Sequence, residues 1–348
     1  MTRLFFIFAF IIVSISIISA QHHDKKYNIL SVGFYNLENL FDTVDDTLIN
    51  DEEFLPDGAR AWTAERYQEK LGNMSYVISQ IGLPEAGTGL SLLGVSEIEN
   101  RRVLEDLVKE NSIRDRNYQI IHYDSPDFRG VDVGLLYNPK HFTPLKSRPI
   151  PLINLEDGVR KYTRDVLYVK GILDSDTVHV LVNHWPSRGG GPITASFRNN
   201  GAKLCRNVVD SLLGVQPDAK IFVMGDLNDD PTDESLKSYL RAVGNIKEVR
   251  KTGMFNPFED FFRRGQGSNA YRDAWSLFDQ IVISKGVTNK KDGGYYYFKA
   301  NIFNKQFLVQ MTGQYKGYPL RTFSGDNYQG GYSDHFPTYV YLVKEIKY

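Results

Sequence analysis

Polar side chains that could act together lie within or directly after several short apolar runs of the sequence. Strands that end at one edge of a core would collect these groups in one cleft, and burying several acids together is costly unless a cation compensates their charge. Carboxylate and amide oxygens suit a hard ion such as Mg²⁺, Mn²⁺ or Ca²⁺, and histidines can transfer protons near neutral pH. The residues concerned are Asn36, Glu97, His184, Asp226, Asn228, Asp279, Asp334 and His335.

Taken one at a time, these signals are not specific. The Gly-Asp-Leu-Asn run at residues 225–228 is often only a turn after a strand. Glu97 could cap the helix that follows it, and a single histidine such as His184 is more often a core or surface residue with its hydrogen bonds satisfied. The case for a site therefore depends on the whole ordered set.

The elements that must position these residues alternate between strands and helices along the chain. This pattern favours mixed sheets with helices outside them over a purely parallel sheet. Residues 245–275 are expected to be mostly irregular. The predicted strands are residues 27–36, 90–97, 118–123, 131–137, 166–173, 177–183, 221–224, 278–283 and 338–343, and the predicted helices are 64–82, 103–108 and one that contains Phe197 and Leu212.

The composition suits a packed globular core, with 42% hydrophobic and 13% aromatic residues in 348. The formal net charge of -1 gives no strong field toward nucleic acid or membrane, so a polyanionic substrate must be held by a local site. Cys205 is the only cysteine, which excludes an intrachain disulfide and a thiolate metal cluster and predicts a small buried side chain. Because no repeat or linker is found, we expect a single catalytic domain over residues 27–348.

Residues 1–20 have the pattern of a secretory signal peptide. A positive start at Arg3 precedes an uncharged apolar run, and small residues lead to Ala20, where cleavage is expected. The alternative is an uncleaved anchor, but the run is short for a bilayer crossing, which needs about 20 apolar residues. The sequence therefore predicts an exported protein, periplasmic or extracellular, without stable membrane insertion after cleavage.

The ordered set resembles the endonuclease/exonuclease/phosphatase superfamily, which includes pancreatic deoxyribonuclease, inositol polyphosphate phosphatases and neutral sphingomyelinases. The resemblance runs in order along nearly all of the chain after residue 34, and its details look closest to a bacterial, often exported branch. It implies an α/β (α+β) fold, a four-layer sandwich of two packed mixed β-sheets flanked by helices. The matching segments are YNLEN (35–39), SE (96–97), NHW (183–185), GDLN (225–228), FDQI (278–281) and SDHFP (333–337).

The resemblance also implies a divalent-metal site. Its ligands would be Asn36, Glu38, Glu97 and Asp334, and the ion would be Mg²⁺, with Mn²⁺ or Ca²⁺ as alternatives. Such an ion polarises a phosphoryl oxygen and stabilises the leaving oxygen. Glu38 departs from the family pattern, because many members have Asn or Asp at that place.

Five residues would carry the catalysis that the resemblance implies. His335, oriented by Asp279, would orient or activate water or stabilise charge on phosphorus. Asp226 would hold or deprotonate the attacking water. Asn228 would donate a hydrogen bond to a phosphoryl oxygen in the transition state, and His184 would be a second acid/base or phosphate donor.

Three further residues are candidates for contact with the substrate. Arg164 lies where deoxyribonuclease-like relatives carry an arginine that grips phosphate, although an exposed strand arginine in a surface ion pair would look the same. Arg129 and Asp132 lie at the start of a strand that resembles one of the family's strands, where Asp132 could orient a histidine or the substrate.

The sequence thus predicts an exported metal-dependent phosphodiesterase, most readily an endonuclease acting on DNA or RNA, with nucleic acid as substrate and no obligate protein partner. Two alternatives stay open. One is a small-molecule or lipid phosphoesterase, like inositol phosphatases or sphingomyelinases, because these share the catalytic core. The other is a non-catalytic binding protein on the same fold.

Overall fold

The computed structural model describes residues 26–346. Two large mixed β-sheets pack face to face, and helices cover their outer faces. The α/β (α+β) four-layer sandwich is therefore confirmed. The predicted signal peptide at residues 1–20 lies outside the described residues. Among the helices of residues 26–346, none combines the length and the apolar character that a membrane crossing requires.

The elements of the described chain are these, in chain order. The strands are β1 (Tyr27–Leu40), β2 (Leu92–Ile98), β3 (Gln119–His122), β4 (Asp132–Tyr137), β5 (Phe142–Ile150), β6 (Asn154–Glu156), β7 (Val159–Lys161), β8 (Val166–Leu173), β9 (Asp176–His184), β10 (Lys220–Asp226), β11 (Ala242–Val243), β12 (Met254–Phe255), β13 (Asn269–Tyr271), β14 (Ala274–Ser276), β15 (Asp279–Ser284), β16 (Tyr296–Ile302), β17 (Phe323–Ser324), β18 (Asn327–Tyr328) and β19 (Thr338–Glu345). The helices are α1 (Ala64–Gln80), α2 (Leu83–Ala86), α3 (Arg101–Lys109), α4 (Ile193–Val215), α5 (Val249–Thr252), α6 (Glu259–Arg263) and α7 (Lys285–Thr288).

Every predicted strand and helix is present, with changes at the boundaries. The largest change is in β1, which continues past Asn36 to Leu40 through an irregularity where Glu38 and Asn39 have φ angles of 48° and 53°. The region 245–275, expected to be mostly irregular, contains the short elements α5, β12, α6 and β13. The strands β5 and β16, which were not predicted, lie at sheet edges. Most side chains of β5 are exposed and show no apolar period, whereas in β16 Phe298, Ala300 and Ile302 alternate with the polar Lys299 and Asn301.

A parallel pair of strands lies near the middle of each large sheet. The six-stranded sheet has the order β16-β19-β1-β2-β4-β3, and the seven-stranded sheet has the order β11-β12-β15-β10-β9-β8-β5. Strands β1 and β2 are parallel and so are β9 and β10, while the neighbours β19 and β15 run antiparallel to them. Helices α1 and α4 make the two crossovers that parallel pairing requires. As a result, the carboxyl-terminal ends of β1, β2, β9 and β10 meet the first residues of β19 and β15 at one edge.

Three apolar layers hold the sandwich together. Between the sheets, buried side chains such as Val32 and Val180 fill the seam. On the outside, α1 packs Met74 onto the six-stranded sheet, and α4 packs Val209 onto the seven-stranded sheet. Cys205 is buried in this last layer, as its apolar context predicted.

The inner rows of the sheets run directly into the polar set. Side chains two residues apart in a strand share a face, so each row continues from a buried apolar residue to a polar one at the strand end. The layer between the sheets therefore changes from an apolar core to a polar cleft over two residues of each strand. The pairs, with the apolar residue first, are Phe34 and Asn36, Val182 and His184, Met224 and Asp226, and Ile281 and Asp279.

The seam is closed tightly at Gly94 of β2. A Cβ atom at this position would lie 2.7 Å from Met224 Sδ and 3.1 Å from Phe34 Cδ2. We expect Gly94→Ala to lower the free energy of unfolding by about 1–3 kcal/mol, because an added methyl group strains a packed core. Urea unfolding measures this change. The matched control is Gly72→Ala in α1, where a Cβ meets nothing within 4 Å and alanine favours the helix; equal losses in the two variants would contradict the tight seam.

Candidate active site

The register of three adjacent strands places Asp226 at the centre of the site. Asp226 of β10 is paired with His184 of β9 on one side and with Asp279 of β15 on the other. Asp226 Oδ2 accepts a hydrogen bond from Asn36 Nδ2 at 3.1 Å. The same oxygen lies 3.6 Å from His184 Nε2 and 3.9 Å from His335 Nε2. One carboxylate oxygen thus faces an amide and two imidazoles.

His335 is held by a carboxylate on its other ring nitrogen. His335 Nδ1 donates to Asp279 Oδ2 at 2.6 Å, and Ser268 Oγ donates to the same oxygen at 2.6 Å. Burial lowers the pKa of His335, but the carboxylates of Asp279 and Asp334 outweigh it and raise that pKa well above its ordinary value. These carboxylates favour the imidazolium form of His335, and its Nε2 lies 3.9 Å from Asp226 Oδ2 and 3.9 Å from Asp334 Oδ1.

His184 has the opposite charge preference. Burial, together with the nearby guanidinium groups of Arg164 and Arg129, lowers the pKa of His184 well below its ordinary value. Burial also raises the pKa of Asp226 to about 7, against the opposing effect of His335. The surroundings therefore favour a neutral imidazole at His184 and an imidazolium at His335, and they raise the pKa of the Asp226 carboxyl group. Groups whose pKa values are separated in this way are suited to distinct acid and base roles.

Glu97 closes the site from the other sheet. Its Oε1 lies 3.8 Å from His184 Nε2 and 3.8 Å from Arg129 Nη2, while its Oε2 accepts from Asn39 N at 3.1 Å. The φ angle of Glu97 is 56°, a left-handed value that costs energy in a residue with a side chain. Such a conformation persists only where surrounding contacts hold it, and here it turns the carboxylate into the cleft.

Asp334 and Glu38 both contact the guanidinium group of Arg321, a residue that belongs to none of the sequence motifs. Arg321 Nη2 donates to Asp334 Oδ2 at 2.7 Å, and Arg321 Nε donates to Glu38 Oε1 at 3.3 Å. Thr322 N donates to Glu38 Oε2 at 2.7 Å, and the buried Lys70 Nζ lies 3.9 Å from that oxygen. Both Glu38 oxygens are thus engaged. The prediction that Glu38 binds a metal stays untested, and its contacts favour a role in holding Arg321.

Asn228 and Arg164 both donate to the backbone that carries His184. Asn228 Nδ2 donates to Trp185 O at 2.9 Å, and its backbone N–H donates to Asp226 Oδ1 at 3.0 Å. Arg164 is buried and donates to His184 O at 3.1 Å and to Trp185 O at 2.9 Å. These contacts give Arg164 a structural role. Its predicted contact with a substrate phosphate stays a prediction.

Arg129 and Asp132 differ in their access to the cleft. Arg129 is half-exposed at the rim, where its Nη2 donates to Asn39 Oδ1 at 2.7 Å. Asp132 is buried and accepts from His122 Nε2 at 2.9 Å. Asp132 therefore orients a histidine, as one of its predicted roles required, but that histidine is neither His184 nor His335.

Four residues that contribute to the site were not predicted from the sequence. Ser268 lies in the segment expected to be irregular, and Arg321 and Lys70 belong to no motif, so their proximity to the acids appears only in three dimensions. Asn39 stands inside the first motif, but its contacts with Arg129 and Glu97 depend on the irregularity in β1.

The donor set fits a divalent cation. Asp226, Glu97 and Asp334 bring carboxylates to one cleft, and Asn36 adds an amide oxygen, which are the hard oxygen donors that Mg²⁺ and Mn²⁺ prefer. Asp279 Oδ1 is buried, and no hydrogen-bond partner for it occurs within residues 26–346. A site that gathers acids in this way, with one oxygen left unpaired, has the charge that a cation offsets.

The chain belongs to the endonuclease/exonuclease/phosphatase family, whose model matches residues 31–344. Members of this family are phosphoester hydrolases. No curated protein matches the chain at a significant level.

Solved structures with a similar fold come from bacteria and animals. One is an endonuclease/exonuclease/phosphatase family protein from Bacteroides thetaiotaomicron, with a TM-score of 0.55, 15% identity, and coverage of 93% of this chain and 98% of that chain. A mannosyl-6-phosphatase of the same species has a TM-score of 0.54 and 16% identity, covering 90% and 99%. TDP2 of D. rerio, complexed with single strand DNA product, has a TM-score of 0.50 and 14% identity, covering 90% and 98%. At these identities the likeness concerns the fold alone.

A cation bound among these acids should stabilise the folded chain. At a Mn²⁺ concentration of about 100 times Kd, the gain in unfolding free energy should be about 2.7 kcal/mol, and Glu97→Gln should lose most of it by removing a charged donor. Thermal unfolding with and without Mn²⁺ measures the effect. The control is Glu105→Gln in α3, whose exposed carboxylate pairs with Arg101 at 2.8 Å. The ligand assignment is wrong if both variants gain the same stability from Mn²⁺.

Proposed function

We propose that the chain is a divalent-metal-dependent phosphodiesterase that hydrolyses nucleic acid. The observation that carries the proposal is the environment of Asp226, whose Oδ2 accepts from Asn36 and faces both imidazole Nε2 atoms within 3.9 Å. Membership of a family of phosphoester hydrolases supports the reaction type. The presence of acid, amide and histidine groups in one cleft argues against a non-catalytic binding protein.

The cation would be held by Asn36, Glu97 and Asp334. When bound, it supplies positive charge to a phosphoryl oxygen and to the leaving oxygen. Mg²⁺ is the expected ion, and Mn²⁺ or Ca²⁺ would satisfy the same oxygen donors. Glu38 would not bind the cation directly. It would position Arg321, which donates a hydrogen bond to the ligand Asp334 at 2.7 Å.

Asp226 is the residue that would receive a proton from the attacking water. A pKa raised by burial to about 7 is close to the value that makes a general base most effective near neutral pH. The carboxylates around His335 favour its protonated form, so Nε2 would donate to a phosphoryl oxygen, with Asp279 fixing the ring. This refines the sequence-based role of His335, because a charged imidazole stabilises negative charge but cannot accept a proton.

His184 and Asn228 complete the catalytic group. His184, whose lowered pKa favours the neutral imidazole, would donate a hydrogen bond from Nε2 to a phosphoryl oxygen and so stabilise its negative charge. Asn228 spends one amide hydrogen on Trp185 O, and the second hydrogen of the same Nδ2 would serve a phosphoryl oxygen. Arg129 at the rim would contact a neighbouring phosphate.

Nucleic acid is the proposed substrate for two reasons. The similar D. rerio TDP2 structure holds single strand DNA product. The sequence pattern at residues 1–20 supports export, and outside the cell the degradation of DNA or RNA releases nutrients.

We place the catalytic unit in one domain over residues 27–348 and assign the chain to an exported bacterial branch of the family. Hydrolysis of a sugar phosphate, the activity named for the similar mannosyl-6-phosphatase, is the second candidate.

The reaction type can be tested on a substrate without bases or sugars. Purified protein should hydrolyse bis-p-nitrophenyl phosphate with Mg²⁺, Mn²⁺ or Ca²⁺, and excess EDTA should abolish the activity because the ion stabilises the transition state. Faster hydrolysis of the monoester p-nitrophenyl phosphate would favour the sugar-phosphate candidate. A folded sample that hydrolyses neither compound under any of the three ions would refute the proposed function.

The assignment of residues can be tested by substitution. Asp226→Ala and His335→Ala should each reduce kcat/KM by about 10²–10⁴-fold, the range for acid/base groups. The double variant should be little worse than either single variant, because the residues act as a unit. Circular dichroism shows whether each variant is folded. The control is His141→Ala, whose Nε2 contacts the exposed Thr88 Oγ1 at 3.2 Å, and near-normal rates in either site variant would overturn the assignment.

A further inference from the structure

A cavity of about 620 Å³ opens beside the proposed metal ligand Asp334. Its walls come from the β13–β14 hairpin, from residues 310–319 and from residues 321–329. Arg321 lines the cavity and also holds Asp334, so the cavity and the catalytic cleft share a wall. The volume lies in the range of pockets that bind small molecules or one unit of a polymer, about 300–1,000 Å³.

The β13–β14 hairpin is built into the catalytic group. Ser268, directly before β13, donates to Asp279 at 2.6 Å, and Asn269 Nδ2 donates to Asp334 O at 2.9 Å. Trp275 of β14 stacks on Phe336, next to His335, with ring centroids 6.0 Å apart and an angle of 16° between the planes. The position of the hairpin therefore depends on the same residues that form the active site.

The tip of the hairpin is fastened to the opposite wall. Its turn consists of Arg272 and Asp273, which have φ angles of 48° and 63°, as a two-residue hairpin turn requires. Asp273 N donates to Tyr318 Oη at 2.6 Å, and Tyr318 Oη donates to Asp273 Oδ1 at 2.8 Å. These two hydrogen bonds fix the hairpin tip against the segment that contains Tyr318.

Aromatic rings line this cavity without being packed into the core. Tyr271 is 68% exposed and Tyr315 is 46% exposed, while Tyr318 lies 5.7 Å from Tyr315. Arg272 lies 5.1 Å from the ring of Tyr271. Amide groups of Gln310 and other glutamines complete the lining. Exposed rings beside guanidinium groups are the surface on which nucleobases stack, and amides can bond to base edges.

We propose that this cavity receives an unpaired nucleobase next to the scissile phosphodiester, so that the enzyme acts on single-stranded nucleic acid. The inference rests on the proposed function, because the base must be attached to a phosphate at Asp334. A base seated between walls cannot also be paired with a complementary strand. Stacking on Tyr271 or Tyr315 accepts every base, and therefore contributes affinity without sequence preference.

The test compares a labelled single-stranded oligonucleotide with an oligonucleotide of the same length that lacks its bases. Fluorescence anisotropy with Mg²⁺ measures the two affinities in the His335→Ala background, which should prevent cleavage. We expect binding about tenfold tighter with bases than without, and Tyr271→Ala should bring that ratio close to one. Tyr271→Phe keeps the ring and should keep the ratio. The matched control is Tyr27→Ala, at the far end of β1 from Asn36.

The outcomes separate this proposal from the proposed function. Equal affinity for the two oligonucleotides, or equal weakening of both by Tyr271→Ala, would overturn the base site even if bis-p-nitrophenyl phosphate is hydrolysed. Tighter binding of a duplex than of the single strand of the same sequence would also overturn the base site. So would displacement of the labelled oligonucleotide by a sugar phosphate but not by an unlabelled single strand. If the folded protein hydrolyses no phosphoester at all, the proposed function itself is refuted.

Discussion

The register of β9, β10 and β15 is the constraint on which the site depends. It sets His184, Asp226 and Asp279 side by side, and the packing of the second sheet brings Asn36 onto Asp226 at 3.1 Å. A shift of one residue in either pairing would turn a side chain of the row away from the seam. The apolar layer between the sheets therefore fixes the catalytic geometry as well as contributing to stability.

The same packing determines the charges. Excluding water from the cleft raises the pKa of Asp226 to about 7 and lowers that of His184, while the carboxylates around His335 keep that imidazole protonated. The irregular backbone adds to the cost, because Glu97 and Asn228 both have left-handed φ angles. A site that is unfavourable in these ways persists only because the surrounding sandwich is well packed, and a bound cation would relieve part of the cost.

Most of the fold was predictable from the sequence because central strands carry apolar runs and outer helices carry a regular apolar period. The edge strand β5 was not predictable, since solvent on its side chains removes that pattern. The edge strand β16 was missed although its residues Phe298, Ala300 and Ile302 alternate with polar ones. The motif residues were predictable through their order along the chain. The partners of those residues were not: the engagement of Glu38 by Arg321, and of Asp132 by His122, joins segments that no local signal connects. Ser268 illustrates the limit, because one hydroxyl in an irregular segment positions the Asp279 that holds His335.

The proposed catalytic residues and the proposed base cavity lie in different parts of this fold. The proposed catalytic residues stand at strand ends, where sheet register leaves little freedom to move them. The cavity beside Asp334 is built from a hairpin and loops whose exposed residues, such as Tyr271 and Tyr315, make few demands on the core. Substitutions there can change the ligand while β9, β10 and β15 keep their pairing, which explains physically how one fold can serve phosphoesters as different as sugar phosphates and nucleic acids.

Arg321 is the exception, because it lines the cavity and also holds Asp334 and Glu38. A ligand that moves Arg321 would therefore alter the proposed metal site, so binding in the cavity and reaction in the cleft would be coupled through a single guanidinium group.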